Sequence, residues 1–477
     1  MSRIEASDEA GPVEPGGGAG VWRDRLAGAA ILVVWVGVLT LALTGYAGLV
    51  PVTLSGLALY LLLQAGRLTR TAWLHLGAGA GIAAFAAWHL DTPQAALVEA
   101  LNRAAFLAAL FSALGALREA ARTSETVLAT GRLLASQPPG RRYAAMTLGG
   151  TFFGAILNFG AVGLLSGMVR DANTLEAAGG DARIQAIRER RMLLAVLRGF
   201  SVLMFWCPLT VAYAIVTTTV VGATWPSMFL LGSLAMLLVL ALGWFLDRVT
   251  MPRPPARSHA EPFAWRGFAP LFGLLVLVFA LSFLVETTTQ GYLVHGVILV
   301  VPLIALAWIA RTSGCRHSAA RMGGYLSNMV PQQRGEIVVL SNAAFVGAVI
   351  AALLPQSGIA AVLSQIGVPA PAIPAAVPWL VVGAGLLGAN SLITVTVLAA
   401  LVADPASLGV DPTVFGVSLV IGWGMAVGSS PAAAATMMIG RLTGRTASAV
   451  GWGWNGSFTL WALLLSSALL GLLHLVW

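Results

Sequence analysis

The stretch AAMTLGGTFFGAILNFGAVGLLSGMV, residues 144–169, is apolar and long enough to cross a bilayer, and its placement decides the fold. Arg118, Arg122, Arg141 and Arg142 precede it, and Arg170, Arg183, Arg188, Arg190 and Arg191 follow it. A single crossing would put these two groups on opposite sides of the membrane, against the tendency of arginine to collect on the cytoplasmic side. A re-entrant hairpin that enters from the cytoplasm, turns near Asn158 and returns leaves both groups inside. The same count then puts Arg248, Arg253, Arg257 and Arg266, next Arg311, Arg316, Arg321 and Arg334, and finally Arg441 and Arg445 inside, with Asp91, Glu286, Asp404 and Asp411 outside. A second apolar stretch, PWLVVGAGLLGANSLITVTVLAAL at 378–401, is flanked by segments 356–377 and 402–411 that contain no arginine, and reads as a second hairpin entering from the other side.

Composition supports a chain that is almost wholly membrane-embedded. Of 477 residues, 58% are hydrophobic and 10% charged, against about 25% charged in a soluble domain. Remaining apolar runs predict eleven spans, near 26–45, 47–65, 72–90, 98–117, 192–220, 226–247, 266–285, 293–311, 337–355, 412–440 and 453–476. The expected fold is therefore an all-α membrane protein of about eleven transmembrane helices plus two re-entrant helical hairpins. Residues 1–25 read as a disordered cytoplasmic tail, 26–250 as the first membrane half, 251–265 as a cytoplasmic linker and 266–477 as the second half. The implied setting is a bacterial inner membrane, with the N-terminus cytoplasmic and the C-terminus periplasmic.

The net charge of +8 is carried by arginines scattered between apolar runs, which orient helices and do not form a nucleic-acid patch. Cys207 and Cys315 are the only cysteines and give neither a disulfide framework nor a metal cluster. His75, His89, His295 and His474 lie in or near different spans, so no convergent catalytic set is expected. Expected partners are the lipid bilayer and a small-molecule or ionic ligand, with a homodimer left open.

The two halves share an order of features. Ala104-Ala105-Phe106 is matched by Ala343-Ala344-Phe345, and Gly154 to Asn158 in the first hairpin is echoed by Gly388-Ala389-Asn390 in the second. The spans that follow run from Gly199 to Pro208 and from Gly422 to Pro431, nine residues in both cases. Span, hairpin with Asn, proline-broken span and final span thus occur twice, and the arginine count gives the copies opposite orientation. Inverted repeats with discontinuous helices carry ligand sites at the repeat interface near the bilayer midplane.

Breaks in helices mark candidate sites, because irregular backbone at membrane depth is tolerated where it lines a cavity or is buried in protein. Pro208 and Pro431 free carbonyls of the preceding turn, and Thr210, Ser429 and Ser430 place hydroxyls beside them. Asn158 and Asn390 with Ser391 fall at the hairpin tips, where helix N-termini expose N–H groups toward an anion. The alternative for each is a packing kink or a turn and capping residue. Arg198, aligned with Ile421 in the second copy, is read as snorkelling to the cytoplasmic interface, with an anion contact as the alternative. Glu99 and Arg103, four residues apart, read as an interfacial ion pair.

Leu157-Asn158-Phe159-Gly160-Ala161-Val162, Ala389-Asn390-Ser391-Leu392-Ile393-Thr394 and Gly428-Ser429-Ser430-Pro431 resemble the hairpin tips and broken helix of the ion transporter superfamily, which includes divalent anion/sodium symporters and citrate and arsenite permeases. The Ser-Asn-Thr signature of the divalent anion branch is absent. The resemblance covers most of residues 98–477 and implies that Phe159, Gly160 and Thr394 join the Asn, Ser, Thr and Pro residues above around substrate and coupling ion. It implies cation-coupled transport of a small anion or organic acid by alternating access, with no cofactor beyond a coupling Na+ or H+. A membrane-embedded enzyme would instead need converging acid/base groups, and an accessory subunit without transport activity would tolerate replacement of the hairpin tips.

Overall fold

The computed structural model describes residues 18–122, 124–137, 139–251, 265–289, 291–353, 362 and 365–476. Positions 1–17 of the expected tail and 252–264 of the expected linker lie outside the described residues. Among those described, the regular structure is helical throughout, with no strand.

The chain begins with α1 (Gly18–Thr44), α2 (Val50–Gln64), α3 (Arg70–His89), α4 (Pro93–Arg122) and the short α5 (Glu125–Ala135). It continues with α6 (Pro139–Leu157), α7 (Phe159–Ala172), α8 (Ala182–Trp206), α9 (Val211–Thr219) and α10 (Trp225–Thr250). Next come α11 (Trp265–Thr289), α12 (Leu293–Ser313), α13 (Cys315–Gly324) and α14 (Arg334–Leu353). The last group is α15 (Ala372–Leu386), α16 (Ser391–Leu401), α17 (Pro412–Ser429), α18 (Ala434–Thr443) and α19 (Gly456–Val476).

Among the described residues, ten helical segments are long and apolar enough to cross a membrane, and they coincide with ten of the eleven expected spans. The remaining expectation, 72–90, is α3, a 20-residue helix whose apolar character is diluted by His75, His89 and glycines 77, 79 and 81. Helices α5 and α13 are not anticipated from the sequence. They are 11 and 10 residues long, too short to register as membrane spans.

Polar residues fix where the helices start. The Asp181 carboxylate accepts from Arg183 N at 2.7 Å and from Ile184 N at 3.2 Å at the head of α8. Asp411 accepts from Val414 N at 2.9 Å at the head of α17, followed by Pro412, whose missing N–H costs nothing in the first turn.

Two groups of helices pack around these elements. In one, α4 lies against α12 and α14, α3 packs on α14, and α1 pairs with α2. In the other, α8 is surrounded by α6, α10 and α17, while α17 packs on α15 and α19. Close approach within the second group depends on small residues, as is usual where lipid offers no hydrophobic drive for association. A methyl group on Gly199 would collide with the Thr147 backbone of α6, and one on Gly424 with the Ser201 carbonyl of α8.

These glycine contacts also give directions. Gly416 faces Val216 while Gly424 and Gly428 face Ser201, so α17 runs antiparallel to the α8–α9 rod. Gly149 in α6 faces Leu165 in α7, and Asn173 and Gln185 exchange hydrogen bonds at 2.9 and 2.7 Å, which folds α6 and α7 into a hairpin whose open end sits beside the start of α8. Its tip reaches Leu203 and Phe200 through Gly154. Similarly, Gly422 faces Pro378 and Val381, and Gly385 faces Ser430, so α15 runs along α17 to the second break. The far end of α16 is fixed by Val221 N donating to Ala403 O at 2.7 Å.

Candidate functional site

Asn158 is the sole described non-glycine residue with positive φ, at φ 52° and ψ −134°, a region normally left to glycine. Its backbone N–H closes α6 on Gly154 O at 2.8 Å, but its side chain does not cap α7. Asn390 differs: its Oδ1 accepts from Leu392 N at 2.9 Å and so caps α16. The second tip turns through Gly388 at φ 94°, where a side chain would be strained. The two hairpins thus reach similar shapes by different local means.

The helix breaks are held by side chains that take up the freed backbone groups. Around Pro208, the Tyr213 hydroxyl donates to Phe205 O at 2.7 Å and the Thr210 hydroxyl to Cys207 O at 2.9 Å. Around Pro431, the Ser430 hydroxyl donates to Gly385 O at 2.7 Å, and Thr436 Oγ1 donates to Ser430 O at 2.6 Å. The Ser430 bond ties the second break directly to the second hairpin.

Both tips and both breaks meet at one cavity of about 510 Å³. Of the residues singled out from the sequence, Asn158, Phe159, Thr210, Asn390, Ser391 and Ser430 line it. The others do not. Gly160 faces Leu157 and Arg118 behind the first tip. Pro208 lines a separate space of about 210 Å³ with Trp225, Glu286 and Tyr292. The Thr394 hydroxyl returns to Asn390 O at 3.2 Å, and the Ser429 hydroxyl is buried and returns to Met425 O at 2.7 Å. Pro431 is flanked by cavity residues without lining the cavity itself.

Arg198 corrects the snorkelling expectation. It is 5% exposed, donating to Asn455 Oδ1 at 2.9 Å and the Tyr143 hydroxyl at 3.0 Å, and its guanidinium lies 4.4 Å from the Phe458 ring centre. These partners place it among α6, α10 and α19, and it does not line the cavity. The reason is that α8 is sheathed in protein along its apolar length, so no lipid interface lies within reach. The Glu99–Arg103 pair forms as expected at 3.0 Å, and Arg103 also donates to Thr219 at 3.3 Å.

Sequence reasoning missed the other end of the cavity. Arg67, Thr69, Thr71, Gln332, Arg334 and Glu336 line it from the α2–α3 loop and the start of α14, while Phe111, Leu203, Met204, Trp423 and Met437 supply apolar walls. Arg334 donates to Arg67 O at 2.8 Å, and Arg67 pairs with Asp24 at 2.6 Å. Polar residues before a span were visible in Gln332-Gln333-Arg334-Gly335-Glu336, but they read as loop charges that orient helices.

The cavity therefore extends toward the face that carries the starts of α1, α8 and α14. That face also holds the Arg191–Asp247 pair at 2.5 Å and the Arg321–Glu119 pair at 3.3 Å. At the base of the first hairpin, burial and the neighbouring Arg188 and Arg191 push the Arg142 guanidinium down to about 10, and it remains charged at neutral pH. Toward the opposite face, contacts join α10 to α11, α4 to α9 and α14 to α16. Trp225 Nε1 donates to Glu286 at 2.6 Å, Arg103 reaches Thr219, and Gly347 of α14 packs tightly on Thr396 of α16.

Described residues that are helical in all their regular structure, with ten membrane-length helices among them, two tip-to-break junctions and a central cavity, define a polytopic membrane protein. Its fold is similar to that of the YdaH transporter from Alcanivorax borkumensis, whose crystal structure was described as having an unusual topology; the TM-score is 0.55 at 18% identity, covering 79% of this chain and 86% of that one. No family model matches the sequence, and no curated protein matches it.

Proposed function

We propose that this protein is a secondary active transporter, related in architecture to the ion transporter superfamily, that moves a small organic anion across the bacterial inner membrane. The observation that carries the reading is the convergence of both hairpin tips and both helix breaks on one cavity, reached from the arginine-rich face and bridged over toward the other. By the positive-inside tendency the arginine-rich face is cytoplasmic, which makes this the inward-facing state. In that reading the two hairpins enter from opposite sides as members of an inverted repeat.

The chemistry of the walls narrows the ligand. Aromatic and aliphatic side chains dominate the middle, with Asn158, Asn390, Thr210 and Ser430 as neutral polar groups, and Arg67 (paired with Asp24), Arg334 and Glu336 toward one end. Such a site suits an organic acid with an apolar body better than a bare inorganic ion, because a few placed polar groups orient a ligand whose apolar part fills the remainder. Coupling to a sodium or proton gradient supplies the driving force.

Uptake into proteoliposomes across a panel of organic acids and oxyanions, with imposed sodium or proton gradients, tests the reading. Gradient-driven accumulation of at least one organic acid is expected. Absence of flux for the whole panel under both gradients would count against transport.

A further inference from the structure

Where α8, α10 and α19 come together at the arginine-rich face, positive charge accumulates without a matching carboxylate. Arg190 of α8 and Arg445, in the link after α18, each bring the guanidinium close to the same indole, at 5.6 and 5.2 Å from the Trp454 ring centre. Trp454 ends the π-helical turn Ala449–Trp454 that leads into α19. Among the described residues neither guanidinium makes a hydrogen bond or an ion pair, and Arg190 Nε is buried without a partner. The buried Arg198, whose own partners are neutral, lies within electrostatic reach of Arg190, as does Arg445. No carboxylate answers this excess. Asp247 of α10 is held by Arg191 at 3.0 and 2.5 Å, Glu189 of α8 lines a separate space at the base of the first hairpin with Arg170 and Asp171, and residues 412–477 contain no acidic residue. Like charges gathered in this way repel one another, and an anion bound among them relieves the repulsion.

The surroundings select a lipid over a soluble anion. Gly243 of α10 abuts Phe458 of α19, so the two helices share a border at this level. Trp244 and Trp452 stand exposed there, and Arg248 lies 4.1 Å from the Trp244 ring centre. Further along the same helices Leu237, Phe245, Leu460 and Leu464 are exposed, an apolar surface that acyl chains would cover. Exposed tryptophan beside arginine is the pattern of the membrane–water interface, and basic clusters between helices at that level hold anionic head groups. We propose that Arg190, Arg445 and Trp454, with Arg248 at the rim, form a binding site for a phospholipid of net negative charge, its phosphate taken by the unpaired guanidiniums and its acyl chains lying along α10 and α19. The site needs only that the chain is membrane-embedded and does not rest on the transport reading.

The test uses the full chain in a neutral detergent, titrated with dioleoyl phosphatidylglycerol, with dioleoyl phosphatidylcholine and with soluble glycerophosphate, and read by melting temperature and by native mass spectrometry of retained lipid. Phosphatidylglycerol should stabilise the wild type and stay bound at concentrations where phosphatidylcholine does neither, and glycerophosphate should have little effect. Arg190→Gln combined with Arg445→Gln should raise the phosphatidylglycerol concentration required by about ten-fold or more. Arg183→Gln, which removes an exposed arginine at the start of α8, should leave the response unchanged. Without lipid, the double variant should melt at or above the wild type, because mutual repulsion has been removed.

Equal responses to phosphatidylglycerol and phosphatidylcholine, or an unchanged response in the double variant, would overturn the site. A loss in Arg183→Gln as large as in the double variant would overturn it by reducing it to the general charge of this face. Stabilisation by glycerophosphate as strong as by phosphatidylglycerol would assign the arginines to a soluble phosphate and overturn the lipid. Failure of the double variant to fold would mean that the arginines serve protein contacts, and would overturn the site as well.

Discussion

At residue scale, the asparagines of the two tips were legible in the sequence, but their difference was not. Both stand where small residues interrupt an apolar run, which marks a turn. That Asn390 spends its Oδ1 on a cap, while Asn158 is held at positive φ with its side chain uncommitted, depends on backbone geometry that composition does not encode. The strained Asn158 backbone gives a sharp test. Asn158→Gly should stabilise the fold by about 1 kcal/mol, by removing the penalty of that φ/ψ region, and should weaken ligand binding by about one to two orders of magnitude through loss of the amide. Asn158→Ala should weaken binding equally without the stabilisation. Melting temperature and affinity measured on the same preparations check both, and unchanged affinity in both variants removes Asn158 from the site.

Arg198 shows the opposite failure. Its position two turns into a span invited a lipid-facing reading, because a sequence displays depth along a helix and not what surrounds it. Replacing Arg198 by Leu leaves Asn455 Oδ1 without its donor and strips Tyr143 of its charged partner, in a buried setting. The expected loss is about 1–3 kcal/mol per group left unsatisfied, seen as a lower melting temperature with ligand affinity of the folded fraction unchanged. A selective loss of affinity at constant melting temperature would assign Arg198 to binding after all.

At element scale, the spans were legible because twenty-residue apolar runs are a direct consequence of bilayer thickness. At 144–169 the arginines on both flanks argue against a single crossing, and contacts such as Gly149 with Leu165 fold α6 and α7 back on each other. What escaped were α5 and α13, whose short lengths fall between the signals for a membrane span and for a loop. The hairpin's relation to the bilayer is testable by single-cysteine labelling in a background lacking Cys207 and Cys315. Cysteines at Gly180 and at Leu387, which is 92% exposed at the second tip, should react with a membrane-impermeant thiol reagent from the cytoplasmic side only, and one at Ala406 from the periplasmic side only. Periplasmic reaction at Gly180 would turn the first hairpin into a span and undo the inverted repeat.

At the scale of the whole molecule, α14 packs on α16, the returning arm of the second hairpin, and the proposed transport by alternating access requires the hairpin-bearing helices to move against α14. A close contact joins these two helices, where a Cβ on Gly347 would stand 3.2 Å from Thr396 Cβ. Bridged cysteines have Cβ atoms about 3.8 Å apart, so Gly347→Cys with Thr396→Cys, in the background lacking Cys207 and Cys315, should form a disulfide with little displacement. If the hairpin group travels, the oxidised double variant should be locked in the inward-facing state. Uptake should fall to background and return on reduction, while either single variant transports in both redox conditions. Ligand binding from the cytoplasmic side should survive oxidation, because the cavity is already open there. Full uptake by the oxidised double variant, with the bridge confirmed by mass, would mean that α14 and α16 stay together through the cycle, and the moving boundary would have to lie elsewhere.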